Sequence, residues 1–171
     1  MSLLKPRITY RPVEYPQAVS FWEQQQQAHW LHLEISMAGD LQDWHETLSE
    51  TEKHIVGQIL KGFTQTEVFI EDYWSNKIAN WFKKPELQDM ANCFASFESI
   101  HAKAYNYLNE TLGLDDFESF LTDETTKAKI DRLMEVKGKS KHDIALSLAI
   151  FSAFNEGVNL FSSFAILIPS F

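Results

Sequence analysis

Residues 94–105 read FASFESIHAKAY, and this stretch is the most informative part of the sequence for the fold. Glu98 and His101 stand three positions apart, so both side chains leave the same face of a helix. The flanking residues are aromatic or small, as on a helix face that is buried in a core. Burying an ionised carboxylate costs several kcal/mol unless it is paired or bound to a metal ion. The stretch therefore predicts a helix that carries part of a metal site.

Two further carboxylates lie in the same kind of setting. Glu67 and Glu156 are flanked by aromatic and small residues, and no Lys or Arg stands three or four positions from either of them. Carboxylate and imidazole donors together suit iron or manganese. Dinuclear iron bundles take a single Glu from each of two helices and Glu-x-x-His from each of two others. Glu67 and Glu156 fit the single carboxylates, and Glu98 with His101 fits one Glu-x-x-His; no second such motif occurs in these 171 residues.

These residues also have ordinary interpretations. A single Glu-x-x-His is often a chance pair on a helix surface, and Glu67 has Glu71 and Asp72 nearby, which is typical of a solvated face. Glu156 is the hardest to explain without a ligand, because its helix is otherwise apolar. Cys93 is interpreted as a small buried residue, since no basic partner is apparent.

Caps and breakers divide the chain into helices. The pattern predicts a first helix over Ala18–Ala28, a loop through Gly39 and Asp40, a long helix from the Ser49–Glu52 capping box to Phe82, a helix over Pro85–Leu112 closed by Gly113, shorter helices over Asp115–Leu121 and Glu124–Val136, and a last helix over Ser140–Ile168. The predicted fold is all-α, with an irregular lead-in over residues 1–17 and one helical bundle over residues 18–171.

Composition narrows the classes of partner. The net charge of −9 argues against a nucleic-acid partner, which requires clustered Lys and Arg. The one cysteine excludes an internal disulfide and fits a reducing cytoplasm. The apolar last helix raises the question of a membrane, but Asn155, Glu156 and Asn159 in its middle favour the buried helix of a bundle. We therefore predict a cytoplasmic protein with no membrane and no nucleic-acid partner.

Four segments together resemble the small subunit of class I ribonucleotide reductase. They are EKHI at 52–55, FTQTEV at 63–68, FESIHAKAY at 97–105 and EGVNLFSSFA at 156–165. The spacing of 31 residues between Glu67 and Glu98 also matches that family. The resemblance extends from about Trp30 to Ala165. It implies a ferritin-like helical bundle that is incomplete at the C-terminus, because the helix with the second Glu-x-x-His is absent from this sequence.

The resemblance also implies roles for particular side chains. It implies metal ligation by Glu67, Glu98, His101 and Glu156, oxidation of Tyr105 to a stable radical, radical transfer through Trp30, and an apolar pocket around the radical that includes Leu160 and Phe164. The cofactor would be two iron ions. The family's first ligand is usually Asp, and Glu67 in that place leaves a manganese–iron pair open. The implied activity is reduction of ribonucleotides to deoxyribonucleotides, with a tyrosyl radical generated at the dinuclear metal site.

The implied partners are a second polypeptide that carries the missing Glu-x-x-His helix, a large catalytic reductase subunit, and a second copy in a homodimer of the completed small subunit. Two alternatives stay open. One is another diiron-carboxylate oxidase or oxygenase on the same bundle, and the other is a non-catalytic structural fragment. Tyr105, seven residues after Glu98, and Trp30 upstream favour the reductase.

Overall fold

The computed structural model describes residues 2–134, 138 and 140–167, and every regular element in this part of the chain is helical. The predicted all-α class is confirmed. The α-helices are α1 Pro16–Gln27, α2 Ala38–Glu46, α3 Glu50–Asp72, α4 Ala79–Trp81, α5 Pro85–Leu112, α6 Phe117–Thr122, α7 Glu124–Met134, α8 Lys141–Ala149 and α9 Leu160–Leu167. A 3₁₀ turn covers His32–Glu34, and π-helical segments over Tyr73–Ile78 and Ile150–Asn159 join α3 to α4 and α8 to α9.

The chain forms two compact units, which share the long helices α3 and α5. Unit 1 consists of Met1–Glu34 and Gln65–Ala104, and unit 2 of Ile35–Thr64 and Tyr105–Phe171. The core of unit 2 gathers around Trp44, Val56, Leu60 and Phe63. A smaller core in unit 1 forms around Cys93, Phe97 and Ile100.

Helix α3 begins at the predicted capping box. Ser49 N donates to Glu52 Oε2 over 2.8 Å, and Glu52 N donates back to Ser49 Oγ over 3.4 Å. Along the helix the buried positions Val56, Leu60, Phe63, Glu67 and Ile70 recur every three or four residues and form one inward face. Glu67 therefore occupies a core position on α3.

Helix α5 begins and ends at the residues that the sequence indicates. Pro85 is its first residue, where the missing N–H costs no hydrogen bond. Gly113 follows the helix with a φ of 72°, which favours glycine. Gly113 N donates to Glu110 O over 3.2 Å and Leu114 N to Asn109 O over 2.8 Å, the bond pattern of a Schellman motif.

The helices differ from the sequence prediction in several places. The predicted loop through Gly39 and Asp40 is wrong, because both residues lie in α2. A glycine inside a helix costs about 1 kcal/mol, which the burial of the Trp44 ring in the unit 2 core outweighs. The π-helical segments were not predicted. The predicted helix ends at Val136 and Ile168 lie outside the described residues, and α1 begins at Pro16, two residues before its predicted start.

The N-terminal segment of unit 1 is tied to the start of α5 by a group of charged side chains. Arg7 Nη2 donates to the carboxylate of Glu86, which also accepts from the backbone N–H of Glu14 over 3.0 Å. Lys84 Nζ donates to Glu14 Oε1 over 2.9 Å. Lys84 and Glu86 are each 2% exposed, so these pairs are shielded from solvent. Burial raises the pKa of Glu86, but hydrogen bonds from its own backbone N–H, Glu14, Arg7 and Tyr15 outweigh burial and lower it overall.

We expect Glu86→Ala to lower the free energy of unfolding by about 2 kcal/mol, because Arg7 and two backbone N–H groups lose their acceptor. The pKa of Glu86 in the folded protein lies below the ordinary value of 4.5. Its contribution to the free energy of unfolding is therefore fully present above pH 4.5 and is lost as the pH falls through the folded-state pKa. Urea unfolding between pH 3 and 7 measures the effect, with the exposed neighbour substituted in Lys83→Ala as the control. If Glu86→Ala lowered the free energy of unfolding only slightly at neutral pH, or by the same amount in acid, Glu86 would not stabilise the fold as proposed.

The final helix, Lys141–Leu167, comprises α8, the second π-helical segment and α9. It begins at a capping box in which Ser140 N donates to Asp143 Oδ2 over 3.0 Å and Asp143 N donates to Ser140 Oγ over 3.1 Å. Its 27 residues are long and apolar enough to cross a membrane by length and composition, and only 17% of its most apolar window is buried. One such helix is weak support for a membrane span, and Glu156 lies in its middle.

Candidate metal centre

Two helices of unit 1 bring three metal-binding side chains together. Glu67 comes from the inward face of α3, and Glu98 and His101 come from one face of α5. One ligand atom from each lies within 4.8 Å of the others. Glu67 is 5% exposed, whereas the side chains of Glu98 and His101 are 17% and 36% exposed. The solvated-face interpretation of Glu67 is therefore wrong.

The spacing of these atoms is close to what a single ion needs. Donor atoms bound to one ion at about 2.1 Å lie at most about 4.2 Å apart. The three ligand atoms of this site lie within 4.8 Å of one another, so small side-chain rotations suffice to place them around one ion. His101 Nδ1 and Glu98 Oε2 are 2.8 Å apart and share a hydrogen bond. Two carboxylates and one imidazole form a donor set that fits a divalent iron or manganese ion, whose charge would offset both carboxylates.

The imidazole of His101 is held by an aromatic neighbour. Its ring stacks on that of Trp30 with a centroid distance of 6.1 Å and an interplanar angle of 28°. Trp30 in turn packs against the unit 1 core of Cys93, Phe97 and Ile100. Cys93 is buried as predicted, and its Sγ accepts from Gln26 Nε2 over 3.1 Å. The tryptophan selected by resemblance thus touches a candidate ligand, and its function in radical transfer stays a prediction.

The fourth predicted ligand, Glu156, lies in unit 2. It belongs to the π-helical segment Ile150–Asn159, and its Oε1 atom has less than 1 Å² of accessible surface. Its neighbours Phe154 and Val158 are 62% and 61% exposed, so the carboxylate oxygen is shielded while the helix around it is open. π-Helical turns occur often at functional sites, because the wider turn redirects one side chain. The role of Glu156 as a ligand stays a prediction.

Tyr105 is half-buried and packs against the apolar core of unit 2. Its ring centroid is 5.0 Å from that of Phe63, which is 5.3 Å from Phe164. Leu160 and Phe164 pack against the same buried cluster as Tyr105. The structure therefore gathers Tyr105, Leu160 and Phe164, the predicted radical site and two predicted pocket residues, around Phe63.

One polar pair beside Tyr105 was missed by the sequence reasoning. Asn109, one turn after Tyr105 on α5, is 0% exposed and donates to Thr64 Oγ1 over 2.7 Å. Thr64 donates to Leu60 O over 3.1 Å. The sequence contained an indication of this pair, because an Asn four residues after Tyr105 on an apolar helix face needs a buried hydrogen-bond partner. This pair fixes α3 against α5 within unit 2, next to Phe63 and Tyr105.

Comparison with protein families gives a match over nearly the whole chain. The family model described as ribonucleotide reductase, small chain, matches residues 7–169. The "probable ribonucleoside-diphosphate reductase small subunit" of Invertebrate iridescent virus 6 is 35% identical over 98% of this chain and 51% of its own length. Its counterpart in Invertebrate iridescent virus 3 is 34% identical over 98% of this chain and 50% of its own length. The chain thus spans about half the length of these relatives.

Solved structures show the same arrangement of helices. The dimanganese(II) NrdF of Streptococcus sanguinis superposes with a TM-score of 0.75 at 22% identity, over 88% of this chain and 55% of that one. A ribonucleotide reductase subunit of Clostridium botulinum superposes with a TM-score of 0.80 at 17% identity, over 95% of this chain and 53% of that one. At these identities the likeness concerns the fold alone, and it agrees with the predicted ferritin-like class.

Proposed function

Because the chain belongs to the ribonucleotide reductase small-chain family, we propose that it forms the metal-binding part of a ribonucleoside-diphosphate reductase small subunit. The activity would be reduction of ribonucleotides to deoxyribonucleotides, with Tyr105 as the residue that holds the radical. We propose a cytoplasmic location, which suits the buried thiol of Cys93.

The observation that carries this proposal is the convergence of Glu67, Glu98 and His101. Their ligand atoms lie within 4.8 Å of one another, beside the Trp30 ring. When bound, a pair of iron ions, or of manganese and iron, would supply the one-electron chemistry that oxidises a tyrosine. The protein's own contribution is to hold the ligands on rigid helices and to surround Tyr105 with apolar side chains.

The metal pair needs more ligands than these helices provide. Dinuclear carboxylate bundles use two Glu-x-x-His motifs, and residues 1–171 contain one. We propose that a helix from outside residues 1–171 supplies the other Glu-x-x-His. We further propose that the completed small subunit forms a homodimer and acts with a large catalytic subunit that binds the nucleotide.

A row of exposed apolar side chains on the final helix is the surface on which we place that helix. We call it the apolar stripe: its members stand three or four positions apart and are Leu146, Ile150, Phe154, Val158 and Phe161, with exposures of 51%, 39%, 62%, 61% and 66%. A contiguous row of this kind is typical of an interaction surface, because soluble chains rarely leave such patches open. A helix with an apolar face fits it.

Co-expression of residues 1–171 with a polypeptide that carries a candidate Glu-x-x-His helix tests this proposal. We expect the parent chain to elute with that partner in size-exclusion chromatography, and the complex to show reductase activity when the large subunit is added. Replacing Phe154 and Val158 by Gln should weaken capture at least tenfold, because two large apolar contacts are lost.

Ile8→Gln is the matched control, since Ile8 is 99% exposed and lies outside the apolar stripe. A parent chain that stays monomeric in the presence of the partner would overturn the proposal that such a helix docks on this chain. Equal loss of capture in Ile8→Gln would show that the apolar stripe is not the docking surface. A complex that assembles but is inactive with the large subunit would count against the reductase activity.

A further inference from the structure

Four aromatic rings of unit 1 follow one another in edge-to-face contact. The ring centroids are 5.9 Å apart for Trp81 and Tyr73, 6.4 Å for Tyr73 and Trp74, and 5.0 Å for Trp74 and Phe94. The interplanar angles are 86°, 78° and 86°, which is a favourable geometry for aromatic pairs. We call these four residues the aromatic chain.

The inner end of the aromatic chain lies next to the candidate metal centre. Phe94 stands four residues before Glu98 on α5, so the two side chains are neighbours on one helix face. Trp74 follows Glu67 by seven residues along a continuous helix, which is about two turns. Phe94 also packs against the unit 1 core that Trp30 contacts.

The outer end of the aromatic chain reaches partly exposed residues. Trp81 is half-buried at the end of α4, and the nearby Lys83 is exposed. Tyr73, between the two tryptophans, is only 5% exposed. Tryptophan and tyrosine are the side chains most readily oxidised by one electron, and electrons move readily between rings that are in contact. Packing alone explains a cluster of rings, but it does not require three oxidisable rings in a line that begins at a partly exposed position and ends against Phe94, one helical turn from a candidate ligand.

We propose that Trp81, Tyr73 and Trp74 conduct single electrons from a soluble one-electron reductant at the surface to the centre formed by Glu67, Glu98 and His101. The inference rests on the proposed function, because that centre is the electron acceptor. The reductant would lose one electron at the Trp81 end, and a metal ion held by Glu67, Glu98 and His101 would gain it. Each ring ends the transfer in the oxidation and protonation state in which it began, so no atoms are gained or lost. This route is separate from Trp30, which stacks on His101.

Photo-oxidation of the metal-free chain tests the transfer itself. A ruthenium polypyridyl photo-oxidant is attached to the thiol of Lys83→Cys, since Cys93 is buried, and a dissolved electron acceptor makes the flash reaction irreversible. We expect Trp81 to be oxidised first and Trp74 next, as read by transient absorption and by peptide mass spectrometry. Tyr73→Phe should lower the yield of oxidised Trp74 at least tenfold, because phenylalanine does not give up an electron at these potentials.

Tyr10→Phe is the matched control, because Tyr10 is 61% exposed and lies outside the aromatic chain. Circular dichroism establishes that each variant is folded before the flash. Equal oxidation of Trp74 in Tyr73→Phe and in the parent would overturn the inference, as would oxidation that stops at Trp81 in the parent.

Added Mn²⁺ then tests the inner end of the route. Bound Mn²⁺ can give one electron to the Trp74 radical and become Mn³⁺, which runs the inner step of the route in the opposite direction. We therefore expect Mn²⁺ to shorten the lifetime of the Trp74 radical at least tenfold in the parent and to have no effect in Glu98→Gln. An unchanged lifetime in a chain that retains Mn²⁺ would overturn the inference and leave the proposed function intact. A chain that does not retain Mn²⁺ would instead count against the metal centre, and the Tyr73→Phe result would then decide whether the rings conduct.

Discussion

We expect Tyr105→Phe to abolish the tyrosyl radical signal that we propose for the metal-loaded small subunit. The substitution removes the phenolic O–H, whose loss of one electron and one proton makes the radical. The phenylalanine ring keeps the contact with Phe63, so we expect the free energy of unfolding to change by no more than about 1.5 kcal/mol and metal binding to stay nearly intact. The measurement is electron paramagnetic resonance after the ferrous or manganese–iron form has been exposed to dioxygen in the complete assembly.

Tyr107→Phe is the matched control for this experiment. Tyr107 lies two residues further along α5 and is half-buried, as Tyr105 is. We expect its substitution to leave the signal unchanged, because residues two apart on a helix face different directions. A signal that survives in Tyr105→Phe and disappears in Tyr107→Phe would move the radical to the second tyrosine. A signal that survives in both variants would show that neither tyrosine holds the radical.

The buried face of α3 shows what local sequence can predict. Val56, Leu60 and Phe63 recur at helical spacing, and the same spacing leads to Glu67 and Ile70. Because a carboxylate in such a row must meet a compensating group, the sequence indicates both the helix and a candidate ligand. The capping box at Ser49 is confirmed for a similar reason, since its hydrogen bonds join residues three positions apart.

Features that depend on tertiary packing were not predictable in the same way. Helix α2 forms in spite of Gly39, because Trp44 is buried against residues that are distant in sequence. Gly57 permits part of this packing: a Cβ there would lie 3.3 Å from Leu114 Cδ2. The π-helical segments shift the hydrogen-bond register by one residue, and no residue pattern marks that shift. The hydrogen bond between Asn109 and Thr64 joins two residues that are 45 positions apart in sequence.

The candidate metal site depends partly on local sequence patterns and partly on tertiary packing. The spacing of Glu98 and His101 follows from α5 alone, whereas the approach of Glu67 to within 4.8 Å of them depends on how α3 and α5 pack in unit 1. Trp30 was selected by resemblance, and its stacking on His101 gives it a physical link to the site. The apolar surroundings of Tyr105 come from Phe63 and Phe164 on two further elements. Each of these residues can therefore be tested by its own substitution.

Glu67→Gln will weaken binding of Mn²⁺ or Fe²⁺ about 100-fold, because a buried anionic ligand is replaced by a neutral amide of the same shape. Calorimetric titration of the 171-residue chain, with the Mn²⁺ resonance signal as a second readout, measures the affinity. Glu71→Gln, one turn further along α3, is the control that should stay within about threefold of the parent. The isolated parent should also hold fewer than the two ions of a dinuclear site, since part of the ligand set is missing.

The stability of the metal-free variants separates ligation from a structural role of Glu67. An amide is cheaper to bury than a carboxylate, so metal-free Glu67→Gln should unfold within about 1 kcal/mol of the parent. If Glu67 served mainly in an ion pair of the fold, the same substitution would cost about 3 kcal/mol without any metal present. That loss of stability, or two tightly held ions in the isolated chain by elemental analysis, would contradict a shared metal centre built on Glu67, Glu98 and His101.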